Sequence, residues 1–346
     1  MVCMVKNFIP QGGKHCITNA LKQLFAFYGC PLSEDMLFGL GAGLAFVYVN
    51  TPAMPMVSGR SHVFDFEKQL AQRLGVSIKC RQPSNADIAR EKAIGMLQKG
   101  QPVLVYADMP FMNYLSLGEN NHFGGHAIVL AGYDGERRDF FVSDRDNHDY
   151  PIRTPAGDIS SDLHEVSFDE LEAARSSGFR PFPAHNRYVE PELSGFHGVT
   201  PEMCASAIRQ VCGVMLNPAA KLLGVSGIEK FSREIKKWSK FDEKALKNAG
   251  TGNYFMINGD GGTGGGMFRS MYGGFLKEAG VIMNESGLNA LGCGFEALAG
   301  RWDGLADDLW VLGETGDASM LGAMSQKIAA MAETEMELHK KALALV

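Results

Sequence analysis

Cys16 stands in the run QGGKHCITNALKQLFAFYG (residues 11–29), behind a glycine pair and His15 and directly before a helical repeat of apolar residues. A cysteine nucleophile needs a favoured thiolate, a base or imidazolium partner, and a group that orients the partner. Position supplies the first. Where a helix over 17–28 begins, N–H groups without intrahelical acceptors and the positive end of the helix dipole favour the thiolate. The same N–H groups can hold the oxyanion that forms when a thiolate adds to a carbonyl.

Of nine histidines, His126 is the candidate partner, because GGHAIVLAGYD places it at the first position of an expected strand. The two glycines before it allow another backbone or a substrate to come close. Asp144 ends the next β-rich run, DFFVSD (139–144). Two antiparallel strands joined by a short turn bring the start of the first beside the end of the second, so His126 and Asp144 are expected neighbours. Taken singly, each residue has an ordinary explanation: an inert core cysteine, a satisfied core histidine, a turn aspartate. Together they compose nucleophile, base and orienter in the order Cys…His…Asp.

The elements that must position these residues follow from periodicity. Ile17, Ala20, Leu21, Leu24, Phe25 and Tyr28 form an amphipathic stripe that Gly29 ends. Further helices are expected at 34–40, 64–74 and 87–98, and strands at SIKCRQP, 102–108, 126–134 and 139–144. The first part therefore reads as α+β. Residues 145–200, rich in Pro, Gly, Asp, Ser and His, read as a connection with one small helix near 167–176. From Pro201 the pattern is mainly helical, at 201–216, 226–238, 267–279, 284–299, 302–311 and 317–345. Two domains are expected, 1–155 and 156–346.

The 346 residues are 45% hydrophobic and 21% charged, enough for two cores, and the net charge of −6 argues against a nucleic-acid binder. No apolar run is long enough to span a membrane. The N-terminus lacks the regions of a signal peptide, and seven scattered cysteines without CxxC spacing argue for free thiols. A cytoplasmic location is expected.

Three other features carry candidate roles. The segment NYFMINGDGGTGGGMFRSMYGGFLKEAG reads as strand, glycine loop and helix, a topology that can cradle a phosphate. That makes Gly264 and Gly265 candidate contacts, with Arg269 and Tyr272 one turn apart facing a ligand or a domain interface. The alternative is that the glycines serve close packing against the first domain. GIEKFSREIKKWSKF (227–241) gathers Lys230, Arg233, Lys236, Lys237 and Lys240, either an exposed helix face or a dock for an acidic partner. DRDNHD (144–149) is read as turn chemistry and not as a metal site.

HCITNALKQLFAFYG…LSEDMLFGLGAGLAFVY and GGHAIVLAGYD…SDRD resemble the N-terminal domain of butirosin biosynthesis protein H, itself similar to bacteriocin-processing cysteine peptidases of papain-like fold. FRSMYGGFLKEA resembles the uncharacterised domain that usually follows in that family. The resemblance implies a papain-like domain joined to a mainly α-helical one. It implies an acyltransferase in specialised metabolism that takes an acyl group from a carrier-protein phosphopantetheine thioester through Cys16 to a small amine. His126 would then be base and acid, and Asp144 the orienter. The peptidase relatives use a glutamine upstream of the cysteine as oxyanion donor; Gln11 is the candidate, one residue nearer than in their spacing, and His15 is an auxiliary candidate. On this reading no cofactor is tightly bound, the phosphopantetheine phosphate is the natural guest of the glycine loop, and a homo-oligomer is compatible. A cysteine hydrolase (peptidase, amidase or thioesterase) and a non-catalytic module binding a carrier protein or peptide remain open alternatives.

Overall fold

The computed structural model describes residues 2–50, 55–60, 64–119 and 121–346. In chain order the first elements are β1 (Val2–Met4), α1 (Cys16–Phe27), α2 (Glu34–Leu40), β2 (Leu44–Asn50), β3 (Pro55–Arg60), α3 (Phe66–Leu74), β4 (Ser77–Arg81) and α4 (Ala86–Gln98). Then come β5 (Val103–Ala107), β6 (His126–Asp134), β7 (Asp139–Ser143), β8 (Ile152–Thr154), β9 (Gly157–Ile159), β10 (His164–Ser167), α5 (Phe168–Ser176) and β11 (Tyr188–Glu192). The remainder is helical: α6 (Pro201–Leu216), α7 (Gly224–Ile235), α8 (Glu243–Ile257), α9 (Arg269–Met283), α10 (Ser286–Thr315) and α11 (Leu321–Leu343).

The chain forms two compact units, Met1–Leu37 with Val63–Gly198, and Phe38–His62 with Val199–Val346. This partition differs from a single boundary at 155/156: residues 156–198 belong to the first unit, and 38–62 to the second.

The first unit is built on an antiparallel sheet in the order β10-β7-β6-β5-β11-β4, with β1 pairing the end of β6. Every residue of β5 is buried and so is nearly all of β6, the pattern of central strands covered on both faces. Val105, Ile128, Leu130, Val142, Phe168 and Leu171 are among its core. Residues 145–200 contain more structure than their composition suggests. β11 joins the sheet between β5 and β4, pairing Tyr188 with Val105 and with Arg81. Its Pro191 lies beyond the two residues that pair with β5, so the missing N–H costs no bond on that side.

In the second unit the β2–β3 hairpin belongs with the helices because its side chains are their core: Phe46 and Tyr48 are buried beside Trp302, Phe231 and Trp238. Asn253 of α8 seals the hairpin, accepting from Val57 N at 2.9 Å and donating to Pro55 O at 2.9 Å. Two expectations change here. NYFMI (253–257) is helix and not strand, because Leu246, Ala249, Asn253 and Ile257 form a buried stripe at helical spacing that overrides the local β-propensity of Tyr254 and Phe255. The segments 284–299 and 302–311 are one 30-residue helix. Its buried row Leu288, Leu291, Phe295, Leu298, Trp302, Leu305, Leu309 and Leu312 runs unbroken past Gly300, outweighing the roughly 1 kcal/mol a helical glycine costs. Among the described residues no helix is long and apolar enough to cross a membrane.

Candidate active site

Cys16 is the first residue of α1, and the preceding His15 is extended (φ −140°, ψ 131°). The first intrahelical bond runs from Asn19 N to His15 O at 2.8 Å, so the N–H groups ahead of it point out of the helix mouth. Ile17, Ala20, Leu21, Leu24 and Phe25 bury the helix, and Gly29 at φ +77° stops it. Cys16 is 8% exposed.

A buried polar row, Asn19 and Gln23, descends α1 from Cys16 at spacings of three and four residues. Gln23 accepts from Ser143 Oγ of β7 at 2.8 Å and from Gln11 N at 3.2 Å, and donates to Asn19 Oδ1 at 2.8 Å. Asn19 donates to Gln11 O at 2.8 Å. Gln11 thus enters this network through its backbone. The glycine pair that follows lies close against neighbouring side chains. A Cβ on Gly13 would lie 2.3 Å from Glu34 Oε2, and one on Gly12 2.4 Å from Asn147 Oδ1. Gly13 N donates to Arg145 O at 2.7 Å, which ties the strand of chain leading to Cys16 to the residue after Asp144.

The hairpin expectation holds. β6 and β7 pair with Val129 opposite Ser143; one step further sets Asp144 opposite Ile128, and His126 lies two residues along the same face. His126 Nε2 donates to Asp144 Oδ2 at 2.7 Å, with both groups buried. A hydrogen bond between Cys16 and His126 also favours the protonated ring. Burial alone would lower the His126 pKa, but the charge and hydrogen bond of Asp144, aided by Cys16, reverse this and raise it to about 10. Burial would raise the Asp144 pKa, yet His126, Tyr114 and Arg145 N together lower it to about 2. The three residues therefore form a connected thiol–imidazolium–carboxylate series.

Several supporting residues carried no sequence signal strong enough to single them out. Tyr114, from the loop after β5, donates its hydroxyl to Asp144 Oδ2 at 2.8 Å and stacks on His164 with centroids 3.9 Å apart. His164 in turn bonds Asp146 at 2.9 Å. Glu34, buried at the start of α2, accepts from Lys14 N at 2.9 Å, His15 N at 3.1 Å and Thr18 Oγ1 at 3.0 Å. His15 Nδ1 pairs with Thr18 Oγ1 at 3.2 Å, so its ring is held on the Glu34 side of the helix mouth. The Asn19–Gln23 row was legible in principle: two amides at i, i+4 on an otherwise apolar helix face.

The structure places the second-unit candidates in packed or already paired positions. Arg269 is fully buried, bonding Glu335 through Nη2 at 2.7 Å and Nε at 3.1 Å, and Met267 O at 2.7 Å. Tyr272 is equally buried, packed on Phe295 and His339. Gly264 and Gly265 lie in a left-handed loop after a helix, so the strand–loop–helix cradle is absent. Gly266 N donates to Asp303 Oδ1 at 2.8 Å, and a Cβ on Gly265 would sit 3.5 Å from Asp303 Oδ2. A carboxylate there repels a phosphate. The loop packs within its own unit, Gly266 against Ala299. In the basic segment, Arg233 lies 4.0 Å from Glu229 and Lys237 3.3 Å from Glu234. The residues of DRDNHD diverge: Asp144 goes to His126, Asp146 to His164, and exposed His148 lies 3.9 Å from Asp162.

The arrangement defines the first unit as a mixed α/β scaffold presenting a cysteine, histidine and aspartate in series, followed by a helical unit. Residues 15–145 match the family described as "Butirosin biosynthesis protein H, N-terminal", and residues 169–342, half of the chain, match "Domain of unknown function (DUF4872)". The chain belongs to the family in which these two domains follow one another. No curated protein matches it.

Proposed function

We propose that the chain is a papain-like cysteine acyltransferase that moves an acyl group from a carrier-protein phosphopantetheine thioester to a small amine. The observation that supports this reading is the unbroken series from the Cys16 thiol at a helix start through His126 to Asp144. An imidazolium beside the thiol and the positive end of α1 both favour the thiolate. The Cys16 sulfur attacks the thioester carbonyl, and the α1 N–H groups, with the Gln11 side chain as auxiliary donor, hold the oxyanion. The C–S bond to pantetheine breaks, and His126 gives its proton to the departing thiolate. An amine then attacks the Cys16 acyl-enzyme, His126 takes the amine's proton, and the thiolate leaves with amide formed. The membership of residues 15–145 in the butirosin biosynthesis protein H family supports a role in specialised metabolism. So written, the reaction uses no bound cofactor.

The test is intact mass of the protein after exposure to acyl thioesters of N-acetylcysteamine, with the adduct mapped by digestion. The expected result is one acyl group on Cys16 that small primary amines discharge as amide. Release of free acid at a rate indifferent to amine assigns hydrolysis instead, and no Cys16 adduct rules out covalent catalysis.

A further inference from the structure

A second histidine–aspartate pair lies beside the first. Asp146 follows Asp144 by two residues after β7, and His164 opens β10 opposite Val142 of β7. His164 Nε2 lies 2.9 and 3.0 Å from the two oxygens of Asp146, and Ser161 N donates to Asp146 Oδ2 at 2.9 Å. Asp146 is 1% exposed, which leaves these donors, and not bulk water, to hold its charge.

The two pairs meet at Tyr114. Its hydroxyl donates to Asp144 Oδ2, the oxygen that also accepts from His126 Nε2, while its ring lies flat on His164, 9° from parallel. Asp144 Oδ1 is taken by Arg145 N at 2.7 Å, so where the His126 proton sits on Oδ2 depends on where Tyr114 puts its own. Tyr114 belongs to a single 3-10 turn, Asn113–Leu115, and a change of its χ1 rotamer carries the hydroxyl, at the far end of the ring, away from Asp144. Stacking on a histidine whose own plane is set by the two Asp146 oxygens removes that freedom.

We infer that His164 and Asp146 are positioning residues for His126: they hold Tyr114 so that its hydroxyl fixes the Asp144 carboxylate in the orientation that grips the imidazolium. The inference rests on the roles proposed for Cys16, His126 and Asp144, and the pair acts through Tyr114 and not on the acyl group. Around the Tyr114 hydroxyl stand Asp144, Asp146 and Glu170, and around His126 stand Asp144 and Cys16. Burial, and then the Asp144 charge, push the Tyr114 pKa well above the usual tyrosine range, so the phenol stays a donor through neutral pH.

The test follows the His126 ring by NMR through a pH titration of the full chain, alongside the rate of Cys16 acylation by an N-acetylcysteamine thioester. His164→Gln keeps a donor for Asp146 and removes the ring from Tyr114. It is expected to lower the proton affinity of His126, and to slow acylation, by up to about fivefold, the scale of one lost hydrogen bond. In a Tyr114→Phe background the same change at His164 is expected to add nothing. A residue that only stabilises the fold would leave the His126 titration in place. Asp146→Asn weakens the hold on His164 at nearly constant shape and is expected to act in the same direction; it carries the test if His164→Gln does not fold. An unchanged or raised His126 proton affinity, or an equal further loss in Tyr114→Phe, overturns the inference. A wild type that forms no acyl adduct while the titration shifts as expected removes the acyl-transfer reading and leaves the positioning role standing.

Discussion

Each unit of this protein holds a cysteine, a histidine and a carboxylate in series, and the two series are arranged differently. In the first unit Cys16 opens α1, His126 Nε2 reaches Asp144 at 2.7 Å, and the Asp144 carboxylate is shared with Tyr114. In the second, Cys212 lies near the C-terminal end of α6, 3.8 Å from His339 Nδ1, and His339 Nε2 is 3.6 Å from Glu335. Three differences separate them. Cys212 sits toward the negative end of its helix, its sulfur donates to His339 O at 3.4 Å, and Glu335 is committed to Arg269. Burial accordingly pushes the Cys212 thiol up to about 12. Residue types in the right order do not make a nucleophile; the helix end and the partner of the carboxylate do.

The contrast breaks most sharply at the cysteines. Cys16→Ala is expected to abolish the acyl adduct, whereas Cys212→Ala leaves it intact, both read by intact mass. An adduct surviving in Cys16→Ala would invert the assignment. Next, Asp144→Asn is expected to slow adduct formation by roughly 10²–10⁴-fold, the range of general acid–base catalysis.

Asp144→Asn also sharpens the comparison through pH. The raised His126 pKa stabilises the fold fully below about 6.5, and this contribution fades as pH climbs to about 10. The lowered Asp144 pKa stabilises it fully above 3.8 and fades as pH falls to about 2. Denaturant unfolding of the wild type should therefore weaken on the alkaline side, and that slope should vanish in Asp144→Asn.

In the second unit, Arg269→Met leaves Glu335 buried without its cation and is expected to cost about 3–5 kcal/mol in denaturant unfolding. Cys16 alkylation should be unaffected; a parallel loss would mean that the second series serves the first site. The smallest effect is expected from Tyr114→Phe. Losing one hydrogen bond to Asp144, about 1 kcal/mol, should slow adduct formation about fivefold with a normal unfolding midpoint.

Much of the site was legible because its parts are local. Helix periodicity located the mouth of α1, and the hairpin 126–144 has its geometry set by a short turn, so His126 and Asp144 met as expected. Tyr114 and Glu34 were not legible, since each acts across chain separations of 30 and 16 residues or more with no periodic signature. Arg269 misled for the opposite reason. A polar residue beside a glycine loop suggests a ligand, but its partner Glu335 lies 66 residues away on another helix. The hairpin β2–β3 joined the second unit for a similarly distant cause, the aromatic side chains of α7 and α10.

What the sequence by itself determined are the features written in short spans: the helix that begins at Cys16, the strands β5 to β7, the helical run from Pro201, and the three residue types in order. Those depend on periodicity, turn length and backbone sterics, which act over a few residues. Only the tertiary structure decided which buried charges are already neutralised. Asp144 is tied to His126, and Glu335 is tied to Arg269. Charge pairing in a buried environment depends on which side chain arrives within about 3 Å, where low dielectric makes it decisive, and chain spacing does not encode that arrival.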